Sequence, residues 1–195
     1  MSKPNAVSSL TAGEGFRVIR AVSLLASLVL SFVLAGCGLS SDSALERLFR
    51  DHEKEFEELR SLSMRTSAIE MISAKEVRTT ERLMKLNGRL PNEVLGEQQS
   101  RLSESEWRKF MKLMQDLSID TAFIDVPRNG VTLRINGPSL FNGDTEKGIS
   151  YSESPPTPLV SDLDGYEAPL DQQDRHGGFT AYKALKANWF LYFAR

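Results

Sequence analysis

The sequence predicts an α+β fold in which two or three helices pack on one face of a small antiparallel sheet of about four strands. Two segments have apolar residues at helical spacing, and each begins with a serine three positions before a glutamate, which is typical of a helix start. Later in the chain, β-branched and aromatic runs alternate with short turn sequences, which predicts neighbouring antiparallel strands. This order, without a glycine-rich phosphate loop, argues against a nucleotide-binding α/β fold.

The composition is that of an ordinary globular chain. The 195 residues carry a net charge of −2, and 26% of them are charged. Because the chain is mildly acidic, it lacks the basic character that nucleic-acid binding requires. A single cysteine excludes an internal disulfide bond.

That cysteine ends the apolar run 21–34, which follows Arg17 and Arg20 and closes in Leu34-Ala35-Gly36-Cys37. A basic flank, a short apolar core and small residues at its end are the parts of a secretory signal. Together with the terminal cysteine, they resemble the lipobox of a bacterial lipoprotein signal peptide. The resemblance implies cleavage between Gly36 and Cys37, with Cys37 as the lipidated first residue of the mature protein.

The resemblance also implies a domain organisation and a location. Residues 1–36 are the signal peptide, 37–42 are the lipidated cysteine and a tether shorter than about 20 Å, and 43–195 form a single α+β domain. The covalent lipid is the only added group expected, with no cofactor and no metal. Gly38 after the cysteine implies the outer membrane, facing the periplasm. A retained transmembrane helix and a secreted, unlipidated product are the alternatives.

The first predicted helix begins at Ser43, which with Glu46 forms a capping box, and its apolar stripe continues to about residue 63. His52 lies at the edge of this stripe and is predicted to be packed or partly buried, since no ligand set for zinc surrounds it. The opposite side is acidic. Such a side is usually a solvated surface, and its functional interpretation is a docking surface that includes Asp51, Glu55 and Glu58.

Segment 64–86 fits either a broken helix or a short strand followed by a helical turn, and 91–100 is predicted to be a polar loop. Ser103 and Glu106 form a second capping box, and the apolar residues that follow predict a helix to about residue 117. Trp107 belongs to this apolar stripe, so we expect it in the core.

The remaining strands are predicted at 122–126, 131–135, 148–152 and 189–193. Asn129-Gly130 between the first two favours a type I′ hairpin turn. The last strand contains four aromatic residues among five, so we expect it to be central in the sheet or well covered, because an exposed edge of this kind promotes aggregation.

Segment 154–178 is the longest irregular stretch, and Asp162, Asp164 and His176 within it are further candidates for an interaction surface. Residues 162–167 resemble a fragment of a calcium-binding loop, but the third ligand before the glycine and the glutamate at the twelfth position are missing. Asp171, Asp174 and His176 could form a hydrolytic cluster, although no serine or cysteine nucleophile stands in a recognisable motif.

Three short motifs are similar to those of small proteobacterial envelope lipoproteins without an assigned activity: Ser103-x-x-Glu106-Trp107, the run 147–151 and the run 189–192. The resemblance implies no catalytic residues. The sequence therefore favours a non-enzymatic lipoprotein that binds or scaffolds another envelope protein. The alternatives are an inhibitor or immunity-type protein that blocks a toxin or hydrolase, and a hydrolase that uses the loop 154–178.

Overall fold

The computed structural model describes residues 40–66, 68–96, 101–135, 145–174 and 177–195, which belong to one compact unit, Gly38–Arg195. The predicted signal peptide, Gly36, Cys37 and His176 lie outside these ranges. The described part contains four α-helices: α1 (Asp42–Asp51), α2 (Glu53–Met64), α3 (Pro91–Leu95) and α4 (Glu104–Asp116).

Eight strands accompany these helices in the described residues: β1 (Ile69–Ser73), β2 (Glu76–Thr79), β3 (Leu83–Lys85), β4 (Thr121–Asp125), β5 (Gly130–Arg134), β6 (Glu146–Tyr151), β7 (Thr180–Lys186) and β8 (Trp189–Ala194). They form one sheet in the order β3-β2-β1-β4-β5-β6-β8-β7, and all neighbouring strands are antiparallel. The prediction of a small sheet of about four strands with two or three helices is therefore wrong, because the fold is dominated by a large sheet.

The missing strands lie where the sequence pattern was weakest. Segment 64–86, for which the sequence left helix and strand open, contains β1, β2 and β3. These strands have only three to five residues each, which is too short to show the alternation of apolar and polar residues that indicates a strand. Strand β7 alternates poorly between buried and exposed positions, since Lys183 and Lys186 interrupt its apolar residues.

The core lies between the helices and one face of the sheet. Leu133, Ile149 and Leu191 face each other across β5, β6 and β8, and each is at most 1% exposed. They pack in one cluster with Phe56 of α2 and Phe110 of α4. Because successive strand residues point to opposite faces, the residues between them form the second face of the sheet, which includes Phe123, Thr132, Ser150 and Phe190.

The first helix of the sequence prediction is two helices in the structure. The backbone leaves helical geometry at His52, which is half-buried, and the chain continues as α2. Phe49 before the break and Phe56 after it both contact Trp189. Their ring centroids lie 5.3 and 6.1 Å from that of the indole. The indole nitrogen of Trp189 also donates a hydrogen bond to Glu57 at 2.7 Å.

The two predicted capping boxes have different outcomes. At α4 the prediction is confirmed, since Ser103 accepts from the Glu106 amide and the Glu106 carboxylate accepts from the Ser103 amide. At α1 it is wrong, because the helix starts at Asp42 with Ser41 as N-cap, two residues before Ser43. The Asp42 amide there donates to the carboxylate of Asp164, a contact between distant segments that local sequence does not reveal.

The hairpin between β4 and β5 is confirmed, but its predicted turn type is wrong. A short 3₁₀ helix, Val126–Arg128, precedes Asn129, which has a left-handed backbone with φ of 48°, while Gly130 already pairs with Asp125. The loop thus has four residues rather than two. The prediction of a polar loop at 91–100 missed α3. The prediction that the last strand is central or well covered, and not an exposed edge, is confirmed, because β8 lies between β6 and the edge strand β7.

Gly148 of β6 occupies a place where the sheet has no room for a side chain. A Cβ atom built on it would lie 2.1 Å from the Leu133 carbonyl oxygen and 2.8 Å from the Tyr192 ring. The ring of Tyr192 on β8 therefore covers the gap that Gly148 leaves. This explains the glycine in the motif 147–151.

We expect Gly148→Ala to lower the free energy of unfolding by about 1–3 kcal/mol or more, because the backbone of β5 must move. Gly130→Ala is the matched control, since its Cβ would meet the nearest atom at 3.5 Å, an ordinary contact. Chemical denaturation of both variants measures the difference. Equal losses of stability in the two variants would contradict the steric explanation.

Candidate functional site

A group of charged side chains joins the start of α1 to the sheet. Lys147 of β6 is only 2% exposed, and its Nζ atom lies 2.5 Å from an oxygen of Asp42 and 2.5 Å from an oxygen of Asp164. Lys183 of β7 contacts the other oxygen of Asp42 at 3.2 Å and Glu46 at 2.7 Å. We call these five residues the charged clamp.

The sequence places each member of the charged clamp by simple rules. Lys147 is two residues before the core residue Ile149, so the alternation of β6 turns its side chain toward the helices. The Asp42 carboxylate also accepts a hydrogen bond from the Leu163 amide at 2.8 Å, which brings the loop after residue 162 into the same cluster. A buried ammonium group needs charged or polar partners, and the clamp supplies two carboxylates.

Electrostatics favour the charged form of Asp42. Burial of its carboxyl group opposes ionisation, but the amide of Leu163 and the ammonium groups of Lys147 and Lys183 outweigh burial and lower the pKa of Asp42. The hydrogen bond to Glu46 and the contacts with Asp42 raise the pKa of Lys183. Both shifts favour the charged forms of Asp42 and Lys183, which contact each other.

The charged clamp shares Asp164 with segment 162–167, which resembles a fragment of a calcium-binding loop. Carboxylate oxygens of Asp42, Asp162 and Asp164 lie within 4.8 Å of one another. The ammonium group of Lys147 already contacts two of these three carboxylates, and the side chain of Asp162 accepts from the Asp164 amide. The geometry is that of an ion-paired structural cluster.

The predicted interaction residues do not form one surface. Asp51 and Asp162 are exposed, and Glu55 lies 3.7 Å from His52. Glu58 is paired with Lys109 of α4, and Asp164 belongs to the charged clamp. His176 lies outside the described residues. The acidic side of the first two helices is thus partly used for contacts within the chain.

A cavity of about 300 Å³ opens on the second face of the sheet, at the end where β4 turns into β5. We call it the sheet groove. Its side chains include two aromatic rings, four hydroxyl groups with that of Tyr182, a proline and charges of both signs. They are Phe123, Tyr182, Thr132, Ser150, Ser152, Pro156, Glu70, Asp125 and Arg128.

Two hydroxyl groups of the sheet groove are engaged with each other and with the backbone. Ser150 contacts the hydroxyl of Thr132 at 3.1 Å and donates to the Val131 carbonyl at 3.4 Å. Among the described residues, neither hydroxyl has a histidine or carboxylate within hydrogen-bond distance that would activate it. Burial raises the pKa of Tyr182, so its hydroxyl group stays protonated and can donate a hydrogen bond.

A second charged cluster lies on the same face, at the opposite end of β4 and β5 from the groove. Arg134 binds Asp120 at 3.0 Å, Glu146 at 2.6 Å and the hydroxyl of Thr121 at 2.8 Å. Burial and the nearby Glu146 raise the pKa of Tyr192, whose hydroxyl has no hydrogen-bond partner among the described residues. This cluster fixes the register of β4, β5 and β6.

Sequence reasoning missed Lys147, Lys183, Arg134 and Tyr182. The only sequence signal for the charged clamp is a lysine within the apolar strand 147–151, where a buried ammonium group demands a partner. The sheet groove has no such signal, because its residues come from four separate segments.

We compared the chain with known protein families, curated proteins and solved structures. No family model, no curated protein and no solved structure matches the chain. Within the part that the structure describes, no helix has the length and apolar character needed to cross a bilayer.

We expect Lys147→Met to lower the free energy of unfolding by about 3–5 kcal/mol at neutral pH, because it leaves Asp42 buried with too little compensating charge. Since the pKa of Asp42 is lowered by folding, its favourable contribution is present above its ordinary value of about 3.9 and is lost as the pH falls through the lowered value. The difference between the variant and wild type should therefore shrink in acid.

Denaturation curves recorded from neutral pH down to about pH 3 measure this difference. Lys112→Met is the control, because Lys112 pairs with Asp116 on the exposed surface of α4 and such pairs contribute about 0–1 kcal/mol. A loss that is the same for both lysines, or independent of pH, would argue against the charged clamp.

Proposed function

We propose that the chain is a lipoprotein of the bacterial cell envelope, anchored through Cys37 in the outer membrane and facing the periplasm. We further propose that its domain is a non-enzymatic module that binds a segment of another envelope protein in the sheet groove. The observation that carries the binding proposal is this groove, in which aromatic rings, hydroxyl groups and Arg128 meet on the second face. Aromatic residues and arginine are the side chains most enriched at protein interfaces.

The support for the anchor is the sequence 34–37, which has the residues of a lipobox. The charged clamp determines what the anchor would hold, because it contains Asp42, five residues after Cys37. A chain of five residues spans at most about 18 Å. If Cys37 carries lipid, the start of α1 stays within that distance of the bilayer.

The two alternatives receive less support. An inhibitor that uses the acidic helix surface would have fewer free charges than expected, since Glu53, Glu57 and Glu58 contact Lys186, Trp189 and Lys109 of the same chain. A hydrolase that uses the loop 154–178 would depend on His176, which lies outside the described residues. Both alternatives stay predictions from the sequence.

Metabolic labelling with radioactive palmitate tests the anchor. We expect label on the wild-type protein and none on Cys37→Ser, because the thiol of Cys37 is the only one in the sequence. Immunoprecipitation from labelled cells measures the incorporation. Equal labelling of the two proteins would overturn the anchor, and absence of label from both would do the same.

Site-specific photocrosslinking tests the groove. We expect a benzophenone amino acid at position 182 to form an adduct with an envelope protein in cells, because Tyr182 lines the sheet groove. The control position is Leu83 on β3, which is 52% exposed at the other edge of the sheet. Denaturing gels of the irradiated cells compare the two.

Arg128→Glu should weaken the adduct at position 182, because it reverses a charge of the groove while leaving the core intact. The side chain of Arg128 is 86% exposed, so the substitution is expected to fold. Adducts of equal strength at positions 182 and 83, or an adduct that Arg128→Glu leaves unchanged, would reject the groove as the binding site.

A further inference from the structure

The most exposed large apolar side chain of the described residues is Leu170, which is 87% exposed. It begins the 3₁₀ helix Leu170–Gln172 within the long loop. Two hydrogen bonds hold this turn in shape, from the Tyr166 hydroxyl to Gln172 at 3.1 Å and from the Gln173 side chain to the Ala168 carbonyl at 2.7 Å. The leucine is therefore presented to solvent by an ordered turn.

The turn is attached to the end of β8. The ring of Tyr166 packs on Phe179 at 5.8 Å, and Phe179 packs on Phe193 at 5.6 Å. The backbone of Phe179 also pairs with that of Arg195, in hydrogen bonds of 2.9 and 3.0 Å. Residues 171–174 and 194–195 line one cavity, so the loop lies at the end of the sheet where β8 finishes.

The charged clamp lies at this same end. Lys147 is opposite Phe193 in the pairing of β6 with β8, and it binds Asp42. The sheet groove lies at the other end, because Tyr151 at the finish of β6 pairs with Trp189 and with Val131. The five residue steps between the two ends of β6 correspond to about 16 Å.

From this arrangement, we infer that Leu170 inserts into the interface of the lipid bilayer beside the anchor and orients the domain, so that the sheet groove faces away from the membrane. The inference rests on the proposed lipidation of Cys37, because a lipidated Cys37 would keep Asp42 within about 18 Å of the bilayer, and the charged clamp holds Asp42 at this end of the sheet. Since the lipid provides the binding, Leu170 needs only to favour one orientation, and burial of its apolar side chain does so.

The charges near Leu170 define the lipid surface that fits. Glu167, Asp171 and Asp174 are acidic and exposed, and the exposed Arg195 lines the same cavity as the two aspartates. Three carboxylates against this one guanidinium leave a net negative charge among these residues, which an anionic bilayer would repel and zwitterionic headgroups would not. The partner is therefore a zwitterionic lipid surface.

Quenching of tryptophan fluorescence by brominated lipid tests the inference. Lipidated protein purified from membranes is reconstituted in phosphatidylcholine vesicles that carry bromine on the acyl chains, with tryptophan introduced as Leu170→Trp or, as control, Arg128→Trp. Both positions are highly exposed, but they lie at opposite ends of the sheet. The native Trp107 and Trp189 are buried and contribute equally to both variants.

We expect Leu170→Trp to lose emission intensity and to shift to shorter wavelength in these vesicles, with neither change for Arg128→Trp. A content of anionic lipid should reduce the quenching. If the two variants respond equally on vesicles that carry the protein, the inference is wrong while the anchor stands.

The palmitate experiment and flotation of the vesicles show whether the protein is anchored at all, so they distinguish failure of the anchor from failure of the inference about Leu170. The same comparison on mature chain coupled through Cys37 to a maleimide lipid keeps the test independent of lipidation in cells. With this coupled protein, quenching of Leu170→Trp but not of Arg128→Trp would support the inference. An equal degree of quenching in the two variants would overturn it.

Discussion

Lys147 brings a positive charge into the interior of the fold, and the position of several elements depends on how that charge is compensated. Its partners come from the start of α1 and from the loop after residue 162, while Lys183 of β7 binds the same carboxylate of Asp42. A buried ion is tolerated only when its partners are held in good geometry. The pair of Lys147 and Asp42 thus fixes the first helix on the sheet, and it fixes the loop that carries Leu170.

The fold separates two tasks along the length of its strands. One end contains the charged clamp and the ordered turn at Leu170, and the other end contains the sheet groove. In the proposed function, the first end faces the bilayer and the second end is presented to a partner. Gly148 and Tyr192 lie between the two ends, where β5 and β6 approach too closely for a side chain at position 148.

The elements that the sequence predicts well are those with a local signal. The helix after Ser103 and the position of β8 follow from a capping box and from a run of aromatic residues. The size of the sheet could not be predicted, because β1 to β3 are too short to show a period. The charged clamp and the sheet groove could not be predicted because they join residues more than a hundred positions apart, as in the bond between Leu163 and Asp42.

The pairing of β6 with β8 has a consequence for the order of folding. These neighbours in the sheet are separated in the chain by the segment 152–188, which includes β7 and the long loop. During synthesis, which proceeds from the N-terminus to the C-terminus, one edge of β6 stays unpaired until residue 194 has been made. The carboxylate of Asp42 in α1 lacks its contact with Lys183 for nearly as long. The interval between emergence of β6 and arrival of β8 is therefore the period in which this chain is most exposed to wrong pairing and to chaperones.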